Sequence, residues 1–157
     1  MEMLKKKNKQ SGFTLFIAIV VMGTLLMIST GIVNLAVKQA FISSSGRESQ
    51  HAFYAADTGI ECALYWDVQS PTGQSAFATT TGSMINCNMD VNNPGNEWVV
   101  GGAEISTANI TFLPEPYCAT VVVTKGPGAT TQIESFGYNT CDPSNPRRVE
   151  RAVRASY

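Results

Sequence analysis

Hydrophobic and polar positions divide the chain into three successive patterns, and the first is a long apolar run. Residues 10–37 contain no charged side chain. The segment 13–37 would form a helix about 37 Å long, enough to span the hydrocarbon core of a bilayer, which is about 30 Å thick. It is also too long for the apolar part of a secretory signal peptide, which has about 7–15 residues. The run therefore predicts a membrane-spanning helix.

The second pattern, over residues 38–67, is amphipathic and continues the helix. No proline occurs before Pro71. At helical periodicity one apolar stripe contains Phe53, Ala56, Ile60, Ala63 and Leu64. We expect either one unbroken helix of about 80 Å, over residues 13–66, or a helix softened in places. The candidate soft places are Gly23, residues 29–31 and residues 43–46.

The third pattern, over residues 68–157, is one of short strands between turns. The weaker strand candidates are residues 84–88, 97–100 and 109–112, and the stronger ones are residues 117–124, 131–138 and 148–157. Turns at residues 125–129 and 141–146 separate the stronger strands, which predicts an antiparallel meander of at least three strands. A sheet of this kind needs an apolar partner, and the helix stripe supplies one. We therefore predict an α+β fold in which the second half of the helix packs on an exported domain.

Basic residues lie directly before the apolar run. Residues 1–12 carry Lys5, Lys6, Lys7 and Lys9 against Glu2. This asymmetry predicts that the N-terminus stays in the cytoplasm and that the C-terminal domain is exported. The chain has a formal net charge of −1, and because this segment contributes +3, the remainder carries −4. An acidic domain does not favour a protein that binds nucleic acid.

Four cysteines follow the apolar run at dispersed positions: Cys62, Cys87, Cys118 and Cys141. They form no Cys-x-x-Cys pair, and His51 is the single histidine, so a zinc site is not expected. An even number of cysteines after an export segment predicts two disulfides in an oxidising compartment. Cys62 falls on the side of the helix away from the sheet, which favours Cys62–Cys87 and leaves Cys118 with Cys141, although four cysteines allow three pairings.

One acidic residue lies beside the apolar stripe of the helix. Asp57 is close in angle to Phe53 and Ile60, and an acid on an apolar surface needs a partner. On the last predicted strand, Arg151 has the same parity as the apolar residue Val153. One hypothesis is therefore that Asp57 pairs with Arg151 and joins the helix to the sheet. The alternative is that Asp57 lies at the rim of the stripe and is solvated.

The sequence contains no recognisable set of catalytic residues. There is no Gly-x-Ser-x-Gly motif, no phosphate-binding loop and no pair of histidines. We therefore expect a structural protein that is not an enzyme and uses no cofactor and no metal.

Taken together, these features resemble the precursor of a type IV pilin or pseudopilin. The resemblance rests on the basic leader (residues 1–12), on Gly12 followed by Phe13-Thr14-Leu15, on the long apolar helix and on the later disulfide-bearing domain. The stretch FYAADTGIE, residues 53–61, is similar to part of the helix of PilX-like minor pilins. The resemblance implies that a membrane-embedded prepilin peptidase cuts after Gly12 and methylates the new amine of Phe13.

The same resemblance implies partners and a location. The partners would be other pilin subunits and an inner-membrane assembly platform. The chain would be a single-pass protein of the cytoplasmic membrane before assembly, and part of an extracellular filament or of the cell surface afterwards. The apolar helices would form the filament core and the sheets its outer surface, where an adhesive or initiating role would lie.

One position departs from the family pattern. Ordinary pilins carry a glutamate as the fifth residue after the cut, where this chain has Ile17. In the family this glutamate is thought to neutralise the N-terminal amine of a neighbouring subunit, because an unpaired amine in an apolar bundle is costly. Its replacement by Ile17 favours a minor subunit that starts or caps the filament.

Two alternatives remain open from the sequence. One is a major pilin of a lineage that manages without the acid. The other is a membrane-tethered extracellular binding module that never polymerises and keeps its leader.

Overall fold

The structure, a computed structural model, describes residues 11–87 and 96–157 of the chain. Residues 1–10 of the predicted leader lie outside the described residues. The chain divides into two compact units, and the boundary falls between Ser44 and Ser45. This boundary lies inside the segment 43–46, which the sequence marks as a possible soft place.

A single helix, α1, contributes to both units and has the bounds Ser11–Val68. It covers all of the helix expected for residues 13–66, and the absence of proline permits an uninterrupted ladder of backbone hydrogen bonds. The candidate soft places, Gly23 among them, are all helical. The cost of a glycine in a helix, which is about 1 kcal/mol relative to alanine, therefore does not interrupt α1 at these places.

The second unit contains two antiparallel sheets. A two-stranded sheet is formed by β1 (Gly82–Asn86) and β2 (Glu97–Gly101). A four-stranded sheet follows in sequence order, with β3 (Ile105–Thr111), β4 (Cys118–Lys125), β5 (Thr131–Tyr138) and β6 (Glu150–Ser156). The predicted α+β fold with an antiparallel meander is confirmed.

Strand β3 differs most from its predicted extent. It begins at Ile105, four residues before the predicted start of the strand. The reason is an early turn in which Gly101 and Gly102 adopt positive φ angles of 80° and 72°, a conformation that favours glycine. The turn allows the backbone carbonyl of Glu104 to accept a hydrogen bond from the backbone N–H of Lys125 (2.7 Å). Pairing with β4 therefore begins earlier in the sequence than predicted.

The core of the second unit is formed by α1, the loop that follows it, the two-stranded sheet and the inner face of the four-stranded sheet. Along β3, β4 and β5 buried and less buried side chains alternate, as a sheet with one covered face requires. The largest fully buried apolar side chains are Phe77, Ile85, Val100, Ile110, Val121, Val123 and Ile133. Burial of each such side chain favours folding by about 1.5–3 kcal/mol.

The face of α1 that packs on the sheet is not centred where the sequence predicts. Phe53, a member of the predicted stripe, is 47% exposed, whereas Ala56, Ile60 and Ala63 of the same stripe are buried. The buried face consists of small residues with one larger aliphatic residue, namely Ala52, Ala55, Ala56, Gly59, Ile60 and Ala63. The prediction is therefore correct at Ala56, Ile60 and Ala63 and wrong at Phe53, because this contact is made mostly by small residues and leaves no room for the bulkiest side chain of the stripe.

Two glycines show how closely the helix approaches the sheet. A Cβ atom on Gly59 of α1 would lie 2.5 Å from Ser135 Oγ and 2.9 Å from Val121 Cγ2. A Cβ atom on Gly137 of β5 would overlap the backbone of Ala52 and Ala56. Because backbone cannot move aside as a side chain can, the position of Gly137 admits no side chain while the helix keeps its place.

We predict that Gly137→Ala destabilises the second unit severely. The added methyl group must push α1 away from β5, and overpacking of this kind typically costs about 1–3 kcal/mol, with more expected where the clash is with backbone. Urea unfolding of the full chain in mild detergent, followed by tryptophan fluorescence, measures the change. Trp66 and Trp98 both belong to the second unit and report on it.

The matched control is Gly46→Ala. Gly46 is also in α1 and in the second unit, but a Cβ atom there would meet nothing within 4 Å. Alanine at an open helical site stabilises by up to about 1 kcal/mol. Equal effects of the two substitutions would contradict the close-approach interpretation.

Candidate functional site

The first candidate region is the apolar part of α1 in the first unit. From residue 12 to residue 44 every side chain described is exposed, including Phe13 (71%) and Ile17 (45%). The helix from Gly12 to Val68 includes a segment long and apolar enough to cross a membrane, with a mean hydropathy of 2.4 and none of it buried. So much exposed apolar surface is typical of a membrane or of a helical bundle rather than of contact with water.

Three hydroxyl side chains within this apolar part bond to backbone carbonyls of the helix itself. The hydroxyl of Thr24 donates to the carbonyl of Val21 (2.9 Å). Ser29 donates to Leu25 (2.8 Å), and Thr30 donates to Met27 (2.9 Å). Such bonds let hydroxyl side chains enter an apolar surrounding without an unpaired donor. The surface is therefore more apolar than its sequence suggests.

The residues expected to govern processing and assembly lie at the start of this surface. Gly12 and Phe13 are in the first turn of α1, which begins at Ser11. Ile17 follows Phe13 by four residues, so it lies about one helical turn further on. After Glu2, the first acidic residue in the sequence is Glu48.

The second candidate region is the contact between α1 and the sheet, where the expected pair of Asp57 with Arg151 is wrong. Arg151 instead donates from Nε to the hydroxyl of Ser49 (2.8 Å). The strand register explains the difference. Arg151 is opposite Gly137, and Gly137 abuts Ala52, so Arg151 reaches the turn of the helix that precedes Ala52. Asp57 lies more than one turn beyond this point.

The ion pair that does join helix and sheet is formed by Asp67 and Lys125, which sequence reasoning missed. Lys125 Nζ at the end of β4 bonds to Asp67 Oδ1 and also to the hydroxyl of Thr131 (2.9 Å). Asp67 additionally accepts hydrogen bonds from the hydroxyls of Ser75 and Tyr157. The Asp67 side chain is only 3% exposed. One carboxylate thus ties together the end of α1, the following loop, β4 and the end of the last strand.

The electrostatics of Asp67 follow from these partners. Burial alone would raise the pKa of the Asp67 carboxyl, but the hydrogen bonds from Lys125, Ser75 and Tyr157 outweigh it and lower this pKa below its usual value. The pKa of the Tyr157 hydroxyl is raised, first by burial and then by the bond to Asp67. The carboxylate is therefore held in its ionised form in the folded domain.

A second polar cluster is centred on Asn139, a buried residue just after β5. Its side-chain amide donates to Glu48 Oε2 on α1 (2.7 Å) and to the carbonyl of Arg147 (3.0 Å). Its side-chain oxygen accepts from the N–H of Val149 (2.6 Å). Asn139 thus fixes both ends of the connection between β5 and β6 and attaches it to the helix.

The cysteines differ in state. Cys62 of α1 and Cys87, which follows β1, are joined in a disulfide with a Cα–Cα distance of 6.0 Å, within the usual range of about 4.4–6.8 Å. Closing a loop with a sequence separation of 25 contributes about 3 kcal/mol in the chain-entropy model. The bond fixes the two-stranded sheet to the helix.

The expected Cys118–Cys141 bond is not formed in this structure, in which both cysteines are free thiols. Cys118 is half-buried at the start of β4, and Cys141 is exposed. Cys118 is opposite Tyr138 rather than residue 137, so the chain must turn back after β5 to bring Cys141 near. It does so, and the N–H of Cys141 donates to the backbone carbonyl of Pro116 (2.9 Å), two residues before Cys118.

Among the residues that the structure describes, no group of three or more His, Cys, Asp or Glu side chains is arranged to hold a metal ion. The polar clusters at Asp67 and Asn139 join elements of the second unit. What the molecule presents outward is a long apolar helical surface, and such a surface is suited to packing against other apolar helices.

Comparison with known proteins gives one result. Residues 11–61 match the family model described as PilX N-terminal. The match spans the apolar part of α1 and most of its amphipathic part, and it supports a PilX-like type IV pilin family for this chain. That family is structural rather than enzymatic. The searches of curated proteins and of solved structures gave no match.

We predict that Asp67→Asn weakens the second unit and reduces its sensitivity to acid. Because the pKa of Asp67 is lowered on folding, the ionised carboxylate contributes stability that is fully present above the ordinary aspartate pKa of about 3.9 and is lost as the pH falls through the lower folded value. Removing the charge should cost about 1–3 kcal/mol at neutral pH. Urea unfolding of the full chain in detergent between neutral and strongly acidic pH measures both effects.

The control is Glu115→Gln, which removes one negative charge at an exposed loop position. It should leave stability near the wild-type value at neutral pH, since isolated exposed charges contribute little. If the stability of Asp67→Asn falls in acid as steeply as that of the wild type, protonation of Asp67 is not what destabilises the second unit at low pH.

Proposed function

We propose that this chain, whose residues 11–61 support a PilX-like type IV pilin family, is a minor pilin that starts or caps a filament and does not form its shaft. The family implies assembly with other pilus components, and the apolar helix suggests that the chain is anchored in a membrane before assembly. The observation that carries the finer proposal is Ile17, which stands one helical turn after Phe13.

The first step of the proposal is proteolytic. A prepilin peptidase cuts after Gly12, and Phe13 becomes the N-terminal residue. The sequence supports this step because the basic leader ends at Gly12 and the apolar run begins directly after it. A cut at this point leaves the membrane-spanning segment in the mature chain, so the same segment anchors the subunit first and enters the filament core later.

The second step is electrostatic. The amine of Phe13 carries a positive charge, and in an apolar bundle it needs a carboxylate from a neighbouring subunit. This chain has none to offer in return, because Ile17 is apolar and the first acid after Phe13 is Glu48, 35 residues further along the chain. Glu48 is moreover bonded to Asn139. The chain can therefore have its own amine neutralised but cannot neutralise another.

This one-sidedness selects a position in the filament. A shaft subunit must make the contact in both directions, with its amine toward one neighbour and its acid toward the other. A subunit able to make it in only one direction is suited to the end of the filament. The exposed surface of the second unit would then be displayed at that end.

We predict that the mature protein begins at Phe13. Expression of the full chain together with a prepilin peptidase, followed by mass spectrometry of the N-terminal peptide, should yield a peptide starting at Phe13 with a methylated amine. Expression without the peptidase provides the control and should yield the intact leader. A chain that keeps Met1 in cells assembling filaments would point instead to a tethered binding module.

We predict that Ile17→Glu increases the number of copies of this chain in filaments. The new carboxylate can neutralise the amine of an incoming subunit, and a gain of about 1.4 kcal/mol corresponds to a tenfold change in incorporation. Quantitative mass spectrometry of sheared filaments measures the number of copies of this chain relative to the major subunit. Ile19→Glu introduces the same charge at a neighbouring exposed position and should give no increase.

Two results would contradict the proposal. An unchanged copy number in Ile17→Glu, or an equal rise in both variants, would show that the missing acid does not limit incorporation. A wild-type copy number equal to that of a shaft subunit would favour a major pilin that manages without the acid.

A further inference from the structure

The four-stranded sheet of the second unit has two edges, and they differ. At the edge formed by β3, the side chain of Asn96 bonds to the backbone carbonyl (2.8 Å) and N–H (3.0 Å) of Thr111, and the hydroxyl of Ser106 accepts from the N–H of Gly101 (2.9 Å). Strand β2 and the residue before it therefore cover this edge in part. The opposite edge is formed by β6, which within the described residues pairs with β5 alone.

The pairing of β6 with β5 fixes which of its backbone groups face outward. Thr131 and Tyr157 exchange two backbone hydrogen bonds (2.7 and 3.0 Å), and the N–H of Asn139 donates to the carbonyl of Val149 (3.2 Å). Because the backbone groups of successive residues in an antiparallel ladder point alternately toward and away from the neighbouring strand, the odd-numbered residues of β6 bond to β5. The N–H and carbonyl groups of its even-numbered residues point away from the sheet.

The outward backbone groups of Ala152, Arg154 and Ser156 form an open edge. All three residues are exposed, and no described residue bonds to these backbone groups. At Glu150 the carbonyl already accepts a hydrogen bond from Arg151 Nη1 (3.3 Å). A row of donors and acceptors at the spacing of a strand is matched by the backbone of another extended chain.

Most features that keep an exposed edge from pairing are absent from β6. Its seven residues include no proline, and their register with β5 continues from Glu150 to Ser156 without a bulge. Short strands, prolines, bulges and charged side chains are the usual means of protection. Of these β6 has only charge, and a charge repels a strand of like charge but attracts one of opposite charge.

The charges of β6 favour an acidic partner. Arg151 lies on the helix side of the sheet, where its Nε donates to the neutral hydroxyl of Ser49 (2.8 Å), and it forms no salt bridge with a described residue. Arg154 lies on the other face, where its side chain is 61% exposed and its Nε is 3.6 Å from Glu134 Oε1. A neighbouring strand would place side chains opposite both arginines, and opposite charges in such pairs are favourable.

The helix side of β6 also offers apolar surface. Val153 and Ala155 are half-buried and pack against the core of the second unit. Because successive side chains of a strand point to opposite faces, an added strand with apolar residues beside Val153 and Ala155 presents its polar residues on the other face, beside Arg154. The partner that fits is therefore an extended segment in which apolar and acidic residues alternate.

A second copy of this chain does not fit the open edge. Ser49 meets Arg151 near the beginning of β6, and Asp67 meets Tyr157 just after its end, so α1 and β6 run in the same direction. Antiparallel pairing of two β6 strands would set the two helices in opposite directions, which does not suit two chains anchored in one membrane. Parallel pairing about a two-fold axis would place each arginine of β6 opposite its own copy, and like charges directly opposite are destabilising.

We propose that the open edge of β6 is a docking site for an extended acidic segment of another protein, which adds to the four-stranded sheet as a fifth strand. Backbone hydrogen bonds at Ala152, Arg154 and Ser156 hold the segment, and the two arginines select it by charge. This proposal does not depend on the position of the chain in a filament.

The test uses the full chain in mild detergent and two fluorescent peptides as probes. One peptide alternates valine with glutamate, and the other alternates valine with lysine. Fluorescence anisotropy should show that the glutamate peptide binds about tenfold more tightly or better. In Arg154→Glu this preference should weaken or reverse, while the stability of the chain changes little because the side chain is exposed.

A proline tests the backbone contact directly. Ala152→Pro removes one outward N–H and leaves the bonds between β6 and β5 in place, since the N–H of Ala152 does not face β5. Affinity for the glutamate peptide should fall about tenfold or more, because one pair of backbone bonds is lost. Ala152→Thr keeps the N–H and should bind as the wild type does. Urea unfolding verifies that both variants are folded.

Hydrogen exchange of single amides gives a reading that needs no substitution. Addition of the glutamate peptide should slow exchange at Ala152 and Arg154, whose N–H groups point outward, and leave Val153 and Ala155 unchanged, since these already bond to β5. Unchanged exchange at Ala152 and Arg154, equal binding of the two peptides, or full binding by folded Ala152→Pro would each overturn the proposal. Self-association of the chain that Ala152→Pro abolishes would overturn it in favour of a second copy.

Discussion

The second unit depends on one close contact, in which the backbone of α1 lies directly on strand β5. Gly137 makes the contact possible because a side chain there would overlap the backbone of Ala52 and Ala56. The small residues along the buried face of the helix serve the same purpose. With the helix this close, Arg151 opposite Gly137 reaches Ser49, and the connection after β5 reaches Glu48. The polar contacts of this region are consequences of the glycine contact.

The two ends of the packed part of the helix are fixed in different ways. Near its beginning, Glu48 and Ser49 bond to the connection after β5 and to β6. Near its end, Asp67 gathers Lys125, Ser75 and Tyr157 around one buried carboxylate. The part of the helix that packs on the sheet is therefore held at both of its ends.

Much of this architecture could be predicted from local sequence patterns. The helix and the strand Thr131–Tyr138 follow from the absence of proline, from periodicity and from turn residues, all of which act over short stretches of chain. The exposure of Phe53 could not, because periodicity groups Phe53 with Ala56 and Ile60 by angle and does not show that the contact is too close for a large side chain. The Asp67 cluster was also beyond prediction, since its members come from four separate segments that only the tertiary fold brings together.

The proposed function depends on the absence of an acid from residues 10–37. Under that proposal the amine of Phe13 can be neutralised by a neighbouring subunit, but the chain cannot neutralise the amine of another, and this asymmetry places it at the end of a filament. The most direct measurement is electron microscopy of intact filaments labelled with gold-conjugated antibodies against the sheet domain. The account predicts label at one end of each filament. Label distributed along the filament shafts would contradict it.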